Sequence, residues 1–398
     1  MADPEKGYDP RIERRLGAVL AACVKHRTTI VSNMGAANPR AAGRLTVELA
    51  RRMGLRIRVA VVQGDDLTRT VTPATALPEL GKTVAEHGLR VVGANAYLGA
   101  DAILAALDHE PHVILTGRVA DPSLFVAPLA HRFGWKADDW HHLGAATAIG
   151  HLLECSTQVT GGYFADPPYK NVPDIAFLGF PLAEVEDDAT GIVTKLDGTG
   201  GLVSEHTVKE QLMYEVHDPR AYLTPDVTAD FSQARVSQEA KDRVRISGVT
   251  GRTRPEKLKA IIGFDGGLLA EAEFSYAGPG AGSRAELAVS ILRERLERIH
   301  RCQEIVRLDL IGVNALHGTA GNWTPAYAGA TSDVRLRAAM RTHDRAMAET
   351  LLEEVESLWL SGPAGGGGYR GKLTPSVSTQ AIYVDRSAIE LAVEVMQS

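Results

Sequence analysis

Residues 1–155 alternate between short apolar runs typical of strands and longer segments with apolar residues at helical spacing. The strand-like runs are 28–32, 57–62, 89–92 and 112–115. Each run ends at a glycine-containing or polar turn and is followed by a helical segment. This repeat is typical of a parallel sheet with helices on its faces. The sequence therefore predicts an α/β fold with helices on both faces of the sheet.

The helix expected at 39–53 has a clear start, because Asn38 is a good N-cap and Pro39 is favoured at the first helical position. Further helices are predicted at 78–87, 100–107 and 140–155. The last of these closes the first half of the chain. We therefore predict a parallel α/β domain over 1–155.

Residues 156–398 have a different pattern, with glycine-rich and proline-rich stretches between the regular elements. Strands are predicted at 242–249, 257–264, 270–278 and 305–313, with a last strand around 382–384, and helices at 206–216, 283–302 and 332–360. The run 270–278 alternates strictly between apolar and polar residues, as a half-buried antiparallel strand does. We therefore predict that 156–398 forms a second lobe of the α+β class.

The net charge of −6 argues against a nucleic-acid-binding protein, which would need an excess of basic residues. No apolar run approaches the ~18 residues of a membrane-spanning helix, and the polar N-terminus lacks the apolar core of a signal peptide. The three cysteines are too few and too scattered for a disulfide framework. We expect a cytoplasmic protein that does not bind membranes and that forms a homo-oligomer.

Polar residues follow each of the four predicted strands. They are Asn33, Asp65, Asp66, Asn95, Arg118 and Asp121. Ligands bind at the carboxyl ends of strands in open parallel sheets, where these side chains would meet. Carboxylates beside an arginine can orient a substrate carboxylate or carbonyl and can transfer protons. The alternative for any one aspartate is that it caps the helix that follows.

A second group lies on the helix at 140–155, where His151, Glu154 and Cys155 share one face at i, i+3 and i+4. This face could deliver an acid or a base to a cleft. The alternative is an interior histidine and a small packed cysteine. With Asp66 and Asp121, His151 and Glu154 are the candidates for proton transfer.

The candidates for substrate binding are Asn33, Asp65, Asn95, Arg118, Gly161, Gly162 and His317. Glycine loops allow the backbone to approach a ligand, but none here fits a nucleotide-binding motif. We predict a small-molecule substrate and no cofactor, apart from a CoA moiety that the substrate could carry. No metal ligand is assigned, although Asp65 and Asp66 leave a divalent metal at that edge open.

Several segments in order resemble one known family. They are GDDL (64–67), GANAYLGA (93–100), TGRVADPSL (116–124), FGW (133–135), GHLLECSTQVTGG (150–162), KLDGTGG (195–201) and NALHG (314–318). The chain resembles the acyclic terpene utilisation (AtuA-like) family from about residue 3 to its C-terminus. The resemblance implies a role in the catabolism of citronellol-like terpenoids, close to enzymes that handle branched acyl-CoA thioesters.

Members of that family usually begin with a further strand and helix, and many continue into a small C-terminal domain. If that segment contributes to the site, the resemblance implies one of two things: a partner protein supplies the segment, or the start of the chain is truncated.

We expect an enzyme that hydrates, dehydrates or cleaves an unsaturated carboxylic acid or its CoA thioester by acid–base catalysis. In this hypothesis Arg118 binds a carboxylate or carbonyl oxygen. One alternative is an amide or ester hydrolase with Cys155 as nucleophile. Another is a non-catalytic subunit that needs a partner protein.

Overall fold

The computed structural model describes residues 5–316, 318 and 333–398. The chain forms two compact units. Unit 1 comprises Met1–Gly81, Gly93–Ile262 and Ala381–Ser398, and unit 2 comprises Lys82–Val92 and Gly263–Gln380. The domain boundary predicted after residue 155 falls inside unit 1.

The described residues form the following elements. The helices are α1 (Ile12–His26), α2 (Pro39–Arg52), α3 (Val84–His87), α4 (Ala100–Leu107), α5 (Ser123–Phe133), α6 (Trp140–Glu154), α7 (Glu205–Met213), α8 (Ala281–Glu294), α9 (Arg345–Glu356) and α10 (Leu358–Ser361). The strands are β1 (Ile30–Ser32), β2 (Arg58–Gln63), β3 (Ala76–Leu77), β4 (Lys82–Thr83), β5 (Val91–Ala96), β6 (Val113–Thr116), β7 (Pro181–Val185), β8 (Gly191–Lys195), β9 (Tyr222–Leu223), β10 (Thr228–Asp230), β11 (Arg235–Ala240), β12 (Arg243–Ser247), β13 (Thr250–Arg252), β14 (Lys257–Ala277), β15 (Val306–Ile311), β16 (Asp333–Thr342), β17 (Gly366–Asp385) and β18 (Ala392–Gln397).

The main sheet of unit 1 has the order β1-β6-β2-β18. Strands β1 and β2 both run parallel to β6, so that Ile30 and Val59 each align with Val113. The predicted α/β class with a parallel sheet is confirmed. Strand β18 is antiparallel to β2, with Val395 opposite Ala60. The sequence analysis missed β18, because its pattern lies far from the rest of the sheet along the chain.

Helices cover both faces of this sheet. Helices α1 and α2 pack on the face that carries Val59 and Val61, in a core shared with Ile12, Leu16 and Leu20. Helix α4 packs against β2 and β6. Side chains alternate along a strand, so the neighbours of Val59 and Val61 point to the opposite face. Those neighbours, Ala60 and Val62, are buried as well.

The start of α2 follows the sequence prediction. The Asn38 side chain accepts a hydrogen bond from the Ala41 N–H at 3.2 Å, and Pro39 is the first helical residue. Inside the helix, a Cβ at Gly43 would lie 2.5 Å from Val61 Cγ2. Glycine at this position therefore allows α2 to pack close to β2.

Unit 1 also contains an antiparallel sheet of order β11-β12-β8-β7 and a smaller one of order β13-β10-β9. Helix α6 contacts β10, β13 and α7. Gly144 makes the contact with β13 close, since a Cβ there would lie 2.3 Å from the Thr250 carbonyl oxygen. The central part of α6 is consequently buried on several sides.

Unit 2 is built on a sheet of order β15-β16-β14-β17, with β14 and β15 antiparallel to β16. Helices α8 and α9 pack against β16. The core between them includes Phe274 and Tyr276, both fully buried.

Several sequence predictions are corrected in this structure. The helix predicted at 332–360 is strand β16 followed by α9 and α10, since Val334, Leu336, Ala338 and Met340 are buried at the two-residue spacing of a strand. The helix predicted at 78–87 is reduced to its last turn, α3, after two short strands. The runs 257–264 and 270–278 belong to one strand, β14. The run 89–92 opens β5, which pairs with β14 and not with the parallel sheet.

No helix formed by the described residues combines the length and the apolar run that are needed to cross a bilayer.

Candidate active site at the carboxyl edge of the parallel sheet

The loops that follow β2, β5 and β6 are joined by backbone hydrogen bonds. The Ala96 N–H donates to the Asp65 carbonyl oxygen at 2.8 Å, and the Leu98 N–H donates to the Arg118 carbonyl oxygen at 3.2 Å. The segment 94–98 thus lies between the other two loops. Although β5 is not a strand of the parallel sheet, its end still reaches the edge that the sequence predicted.

Asp65 connects all three loops through its side chain. Its Oδ2 accepts the Asn95 side-chain N–H at 2.9 Å and the Arg118 backbone N–H at 2.8 Å. Burial raises the pKa of this carboxyl, and the two hydrogen bonds act in the opposite direction. A Cβ at Gly117 would lie 2.4 Å from the carboxylate, so only glycine leaves it room. Asp65 and Asn95 therefore organise the loops, whatever else they do.

Asp66 lies apart from the other acid–base candidates. It is exposed, and its carboxylate accepts the Thr68 N–H at 2.9 Å in the turn after β2. No hydrogen bond joins Asp66 to Asp121, His151 or Glu154, all of which the structure describes. This contact closes a turn. In the part of the chain that the structure describes, no helix begins directly after β2, so Asp66 is not the helix cap that was the alternative explanation for a single aspartate.

Asp121, in the turn before α5, is hydrogen-bonded to Asn33, the residue that follows β1. The Asn33 side chain donates a hydrogen bond to Asp121 Oδ1 at 3.0 Å, and the carboxyl group is half-buried. Helix α6 packs directly on the same turn, because a Cβ at Gly150 would lie 2.7 Å from the Pro122 carbonyl oxygen. The last turn of α6 is therefore brought beside Asp121.

His151 and Glu154 form a buried pair on this part of α6. Their Nδ1 and Oε1 atoms are 3.0 Å apart, and the side chains are 1% and 13% exposed. Burial raises the pKa of Glu154, and the charges of Asp121 and Glu215 add to the effect. The structure thus places Glu154 within the electrostatic influence of both His151 and Asp121.

Two aromatic side chains surround His151. The ring centroids of Tyr222 and Phe231 lie 5.1 Å and 6.0 Å from that of His151, and the Tyr222 hydroxyl is 3.5 Å from His151 Nδ1. Burial raises the pKa of Tyr222, and the charges of Glu154 and Asp121 raise it further. Tyr222 therefore stays a neutral phenol. The sequence analysis missed it, since a tyrosine in a two-residue strand carries no periodic signal.

Gln211 and Cys155 complete the group. The Gln211 side-chain N–H donates to the His151 carbonyl oxygen at 3.2 Å. Burial is the main cause that raises the pKa of the Cys155 thiol, and the charge of Glu154 adds to it. A nucleophilic cysteine needs the reverse, a thiolate stabilised by nearby positive charge.

Asp226 binds the first residues of helices α4 and α5. Its Oδ2 accepts the Ser123 hydroxyl at 2.5 Å, and its Oδ1 accepts the Ala100 N–H at 2.6 Å. Burial raises the pKa of Asp226 to about 6. Because the two donors begin α4 and α5, this carboxyl ties both helix starts together, and the turn with Asp121 immediately precedes α5. Sequence reasoning missed it, as nothing distinguishes Asp226 from an ordinary loop aspartate.

The guanidinium of Arg118 contacts an aromatic side chain. It donates to the Tyr97 hydroxyl at 2.8 Å, and its central carbon lies 4.4 Å from the ring centroid. No described acidic residue pairs with it within 4.0 Å. The side chain is therefore free to bind an anionic or carbonyl group of a ligand.

The two candidate glycines lie in the turn after α6. Gly161 has a φ of 108°, and a Cβ there would lie 2.7 Å from Val172 Cγ1. At Gly162 a Cβ would lie 2.9 Å from the Thr157 carbonyl oxygen. Both positions need glycine for the turn itself. The remaining candidate, His317, lies outside the described residues.

Among the described residues, no three histidine, cysteine, aspartate or glutamate side chains are grouped as metal ligands would be. Two surface clefts of about 530 and 410 Å³ are lined by other parts of unit 1, including Tyr8 and Met396 in the first and Trp140 and Arg386 in the second. Neither is lined by Asp121, His151 or Glu154. The chemistry of the side chains, and not cavity size, therefore marks the candidate site.

The sequence model described as "Acyclic terpene utilisation family protein AtuA" matches residues 1–395. The chain belongs to this family. No curated protein matches it with significance. Membership in the acyclic terpene utilisation family connects the chain with terpene metabolism and leaves its reaction to be argued from the site.

Proposed function

We propose that the protein is an enzyme of acyclic terpenoid or branched carboxylic acid metabolism. Its substrate is a branched unsaturated acid or the corresponding CoA thioester, or the hydroxylated form of either. The reaction is a hydration, a dehydration or a related lysis that is driven by acid–base catalysis. Asp121, Glu154 and His151 are the central residues.

The observation that carries this proposal is a set of buried polar atoms that have no hydrogen-bond partner among the residues that the structure describes. They are His151 Nε2, Glu154 Oε2 and Gln211 Oε1. Leaving such an atom unpaired costs about 1–3 kcal/mol, so a folded protein rarely keeps three together. A polar ligand at this position would supply the missing hydrogen bonds.

The second support is the different environment of the two carboxyl groups. Burial favours the protonated form of Glu154, while Asp121 is half-buried and accepts a hydrogen bond from Asn33. A proton-transfer pair requires an acid and a base whose surroundings differ, so that one group favours the protonated form and the other the ionised form. We therefore assign the general acid to Glu154 and the general base to Asp121.

A dehydration illustrates the chemistry. The Asp121 carboxylate removes a proton from the carbon next to the substrate carbonyl, and the electrons of that C–H bond form the C=C bond. The C–O bond to the neighbouring hydroxyl breaks as Glu154 gives it a proton, and water leaves. The reverse sequence is hydration. His151 positions the Glu154 carboxyl through the hydrogen bond at Nδ1.

The test is turnover of branched unsaturated acids and their CoA thioesters by the purified protein, followed by mass spectrometry for gain or loss of water. Substrates are first selected by thermal shift, since a ligand that binds the folded state raises the melting temperature. Glu154→Gln and Asp121→Asn should each lower kcat about 100-fold or more. The matched control Glu110→Gln changes an exposed carboxyl, bound to Arg58, and should not alter kcat.

The pH profile separates catalysis from a structural role. If Glu154 is the acid, the alkaline limb of kcat in the wild type should disappear in Glu154→Gln, while ligand binding persists. Turnover that is unaffected by both carboxyl substitutions would contradict the proposal.

Cys155 offers a test of the hydrolase alternative. The raised pKa of its thiol argues against a nucleophile, and Cys155→Ala should therefore retain most of the activity. Loss of all activity in this variant would favour the hydrolase. The third hypothesis, a subunit that needs a partner, predicts that the purified chain binds no ligand and gains activity only with another protein.

A further inference from the structure

We propose that Tyr97, Arg118 and Lys259 form a binding site for a phosphate group of the ligand. We call these three residues the Tyr97 site. The inference goes beyond the acid–base residues and rests on the proposed function only for the choice of CoA as a probe.

Two cationic groups lie around one aromatic ring. The central guanidinium carbon of Arg118 is 4.4 Å from the Tyr97 ring centroid, and the Lys259 ammonium nitrogen is 5.8 Å from it. The Tyr97 N–H donates to the Lys259 carbonyl oxygen at 2.9 Å, so the backbone of the two residues is held in place. Both distances lie within the range of favourable contact between a cation and an aromatic ring.

Among the described residues, neither cation forms an ion pair. No described acidic residue lies within 4.0 Å of either group, although acidic residues outnumber basic ones in the chain by 49 to 43. By contrast, Lys257, two residues earlier on β14, pairs with Asp385 at 3.7 Å. Two cations at one aromatic ring, neither paired with a described carboxylate, indicate in an acidic protein that an anion from outside completes the site.

The Tyr97 hydroxyl fixes the direction of the guanidinium. It accepts one N–H of Arg118 at 2.8 Å, which leaves the other donors of the guanidinium for a ligand. Lys259 is exposed between the buried residues Leu258 and Ala260, and its ammonium group has three donors on a flexible stem. One side of the site is thus fixed and the other is adaptable.

This combination favours a phosphate over a carboxylate. The two oxygens of a carboxylate are satisfied by one guanidinium, whereas a phosphate has more acceptor oxygens and a larger negative charge. A phosphate therefore has enough acceptor oxygens to take a hydrogen bond from each of the two cations. Arg118 lies on the loop between β6 and α5 that also carries Asp121, so a phosphorylated carrier bound here could hold its acyl group near the acid–base residues.

The experiment compares four probes by isothermal titration: CoA, 3′-dephospho-CoA, pantetheine, which has no phosphate, and inorganic phosphate. Lys259→Gln and Arg118→Gln should each weaken CoA binding about tenfold or more, as expected for the loss of a charge-assisted hydrogen bond. The matched control Lys257→Gln removes the same charge from the same strand and should change the affinity less than about twofold. Pantetheine binding should be insensitive to all three substitutions.

Two sources of phosphate can be told apart. Weaker CoA binding in both variants, with inorganic phosphate as a competitor, supports the site with CoA as its ligand. Weaker binding of inorganic phosphate alone supports the site with a smaller phosphorylated ligand. Unchanged binding of both probes in Lys259→Gln and Arg118→Gln overturns the proposal. Because Lys259 is exposed, weaker binding in Lys259→Gln cannot be attributed to a folding defect.

The outcome is independent of catalysis. Asp121→Asn should bind CoA like the wild type, because it leaves the Tyr97 site intact. Binding that depends on Lys259 in a protein without turnover would contradict the proposed function only. Turnover that depends on Glu154, together with a CoA affinity that is unchanged in Lys259→Gln, would contradict the phosphate site only.

Discussion

The replacement Asp226→Asn should change how the stability of unit 1 depends on pH. In the wild type, burial raises the pKa of Asp226 from 3.8 to about 6. One pKa unit corresponds to ~1.4 kcal/mol, so the shift corresponds to about 3 kcal/mol. The folded state binds the proton more tightly than the unfolded state. The free energy of unfolding therefore falls as the pH rises from about 4 to about 6.

The asparagine variant removes this titration and keeps the geometry. The side-chain oxygen of asparagine can accept the Ala100 N–H, and its amide can donate to the Ser123 hydroxyl, whose direction reverses. The variant should then gain stability relative to the wild type, by about 3 kcal/mol in total, between pH 4 and pH 7. Below pH 4 the relative stabilities should be constant.

Urea unfolding at several pH values measures this difference. It is done with Trp323 and Trp359 replaced by phenylalanine, so that the fluorescence reports Trp135 and Trp140, which belong to unit 1. Asp230→Asn is the matched control, because hydrogen bonds from Ser232 lower the pKa of Asp230. That variant should lose stability relative to the wild type only as the pH rises towards 3.8, the ordinary Asp pKa, which is the opposite sign, and the difference should be constant across the pH window of Asp226. A pH-independent difference between Asp226→Asn and the wild type would refute the reasoning.

Three more results are expected. Gly117→Ala should destabilise unit 1 by about 1–3 kcal/mol in urea unfolding, because its Cβ would meet the Asp65 carboxylate. The control Gly17→Ala has open space around it in α1 and should stabilise the protein by about 0.5–1 kcal/mol. In unit 2, hydrogen bonds from Arg295 and then His300 lower the pKa of Glu354. The contribution of Glu354 to stability is therefore present above about pH 4.5 and is lost as the pH falls further. Glu354→Gln should reduce this fall of the melting temperature at acid pH. Phe274→Ala should destabilise the core of unit 2 by about 3–5 kcal/mol, and a smaller effect would show that the core repacks.

The sequence predicted the elements whose signals are local. Helix α2 begins where Asn38 and Pro39 indicated, and the end of β6 delivers Arg118 and Asp121 to the expected edge of the sheet. The strand at 89–92 was assigned to the wrong sheet, because a short apolar run does not reveal its partner. The partner of β5 is β14, more than 150 residues further along the chain.

The candidate site was predicted in part for the same reason. The face with His151 and Glu154 follows from helical spacing, and the meeting of Asp65 with Arg118 follows from the parallel strands β2 and β6. Asn95 reaches them from β5, which is not a strand of that sheet. Tyr222 and Asp226 were not predicted, since only tertiary packing brings Tyr222 to α6 and Asp226 to the start of α4. Neither the residue type nor the spacing along the chain marks these two positions in the sequence.

The antiparallel strand β18 has a consequence for the assembly of the fold on the ribosome. Its partner β2 is made early, and the Ile57 N–H ends up bonded to the Ser398 hydroxyl, 341 positions away. Until that late segment emerges, β2 has an unpaired edge, which can join foreign strands. Nascent chains of this protein should therefore need protection by a chaperone at β2 throughout synthesis, and shortening the segment 392–397 would prolong that exposure into the mature state.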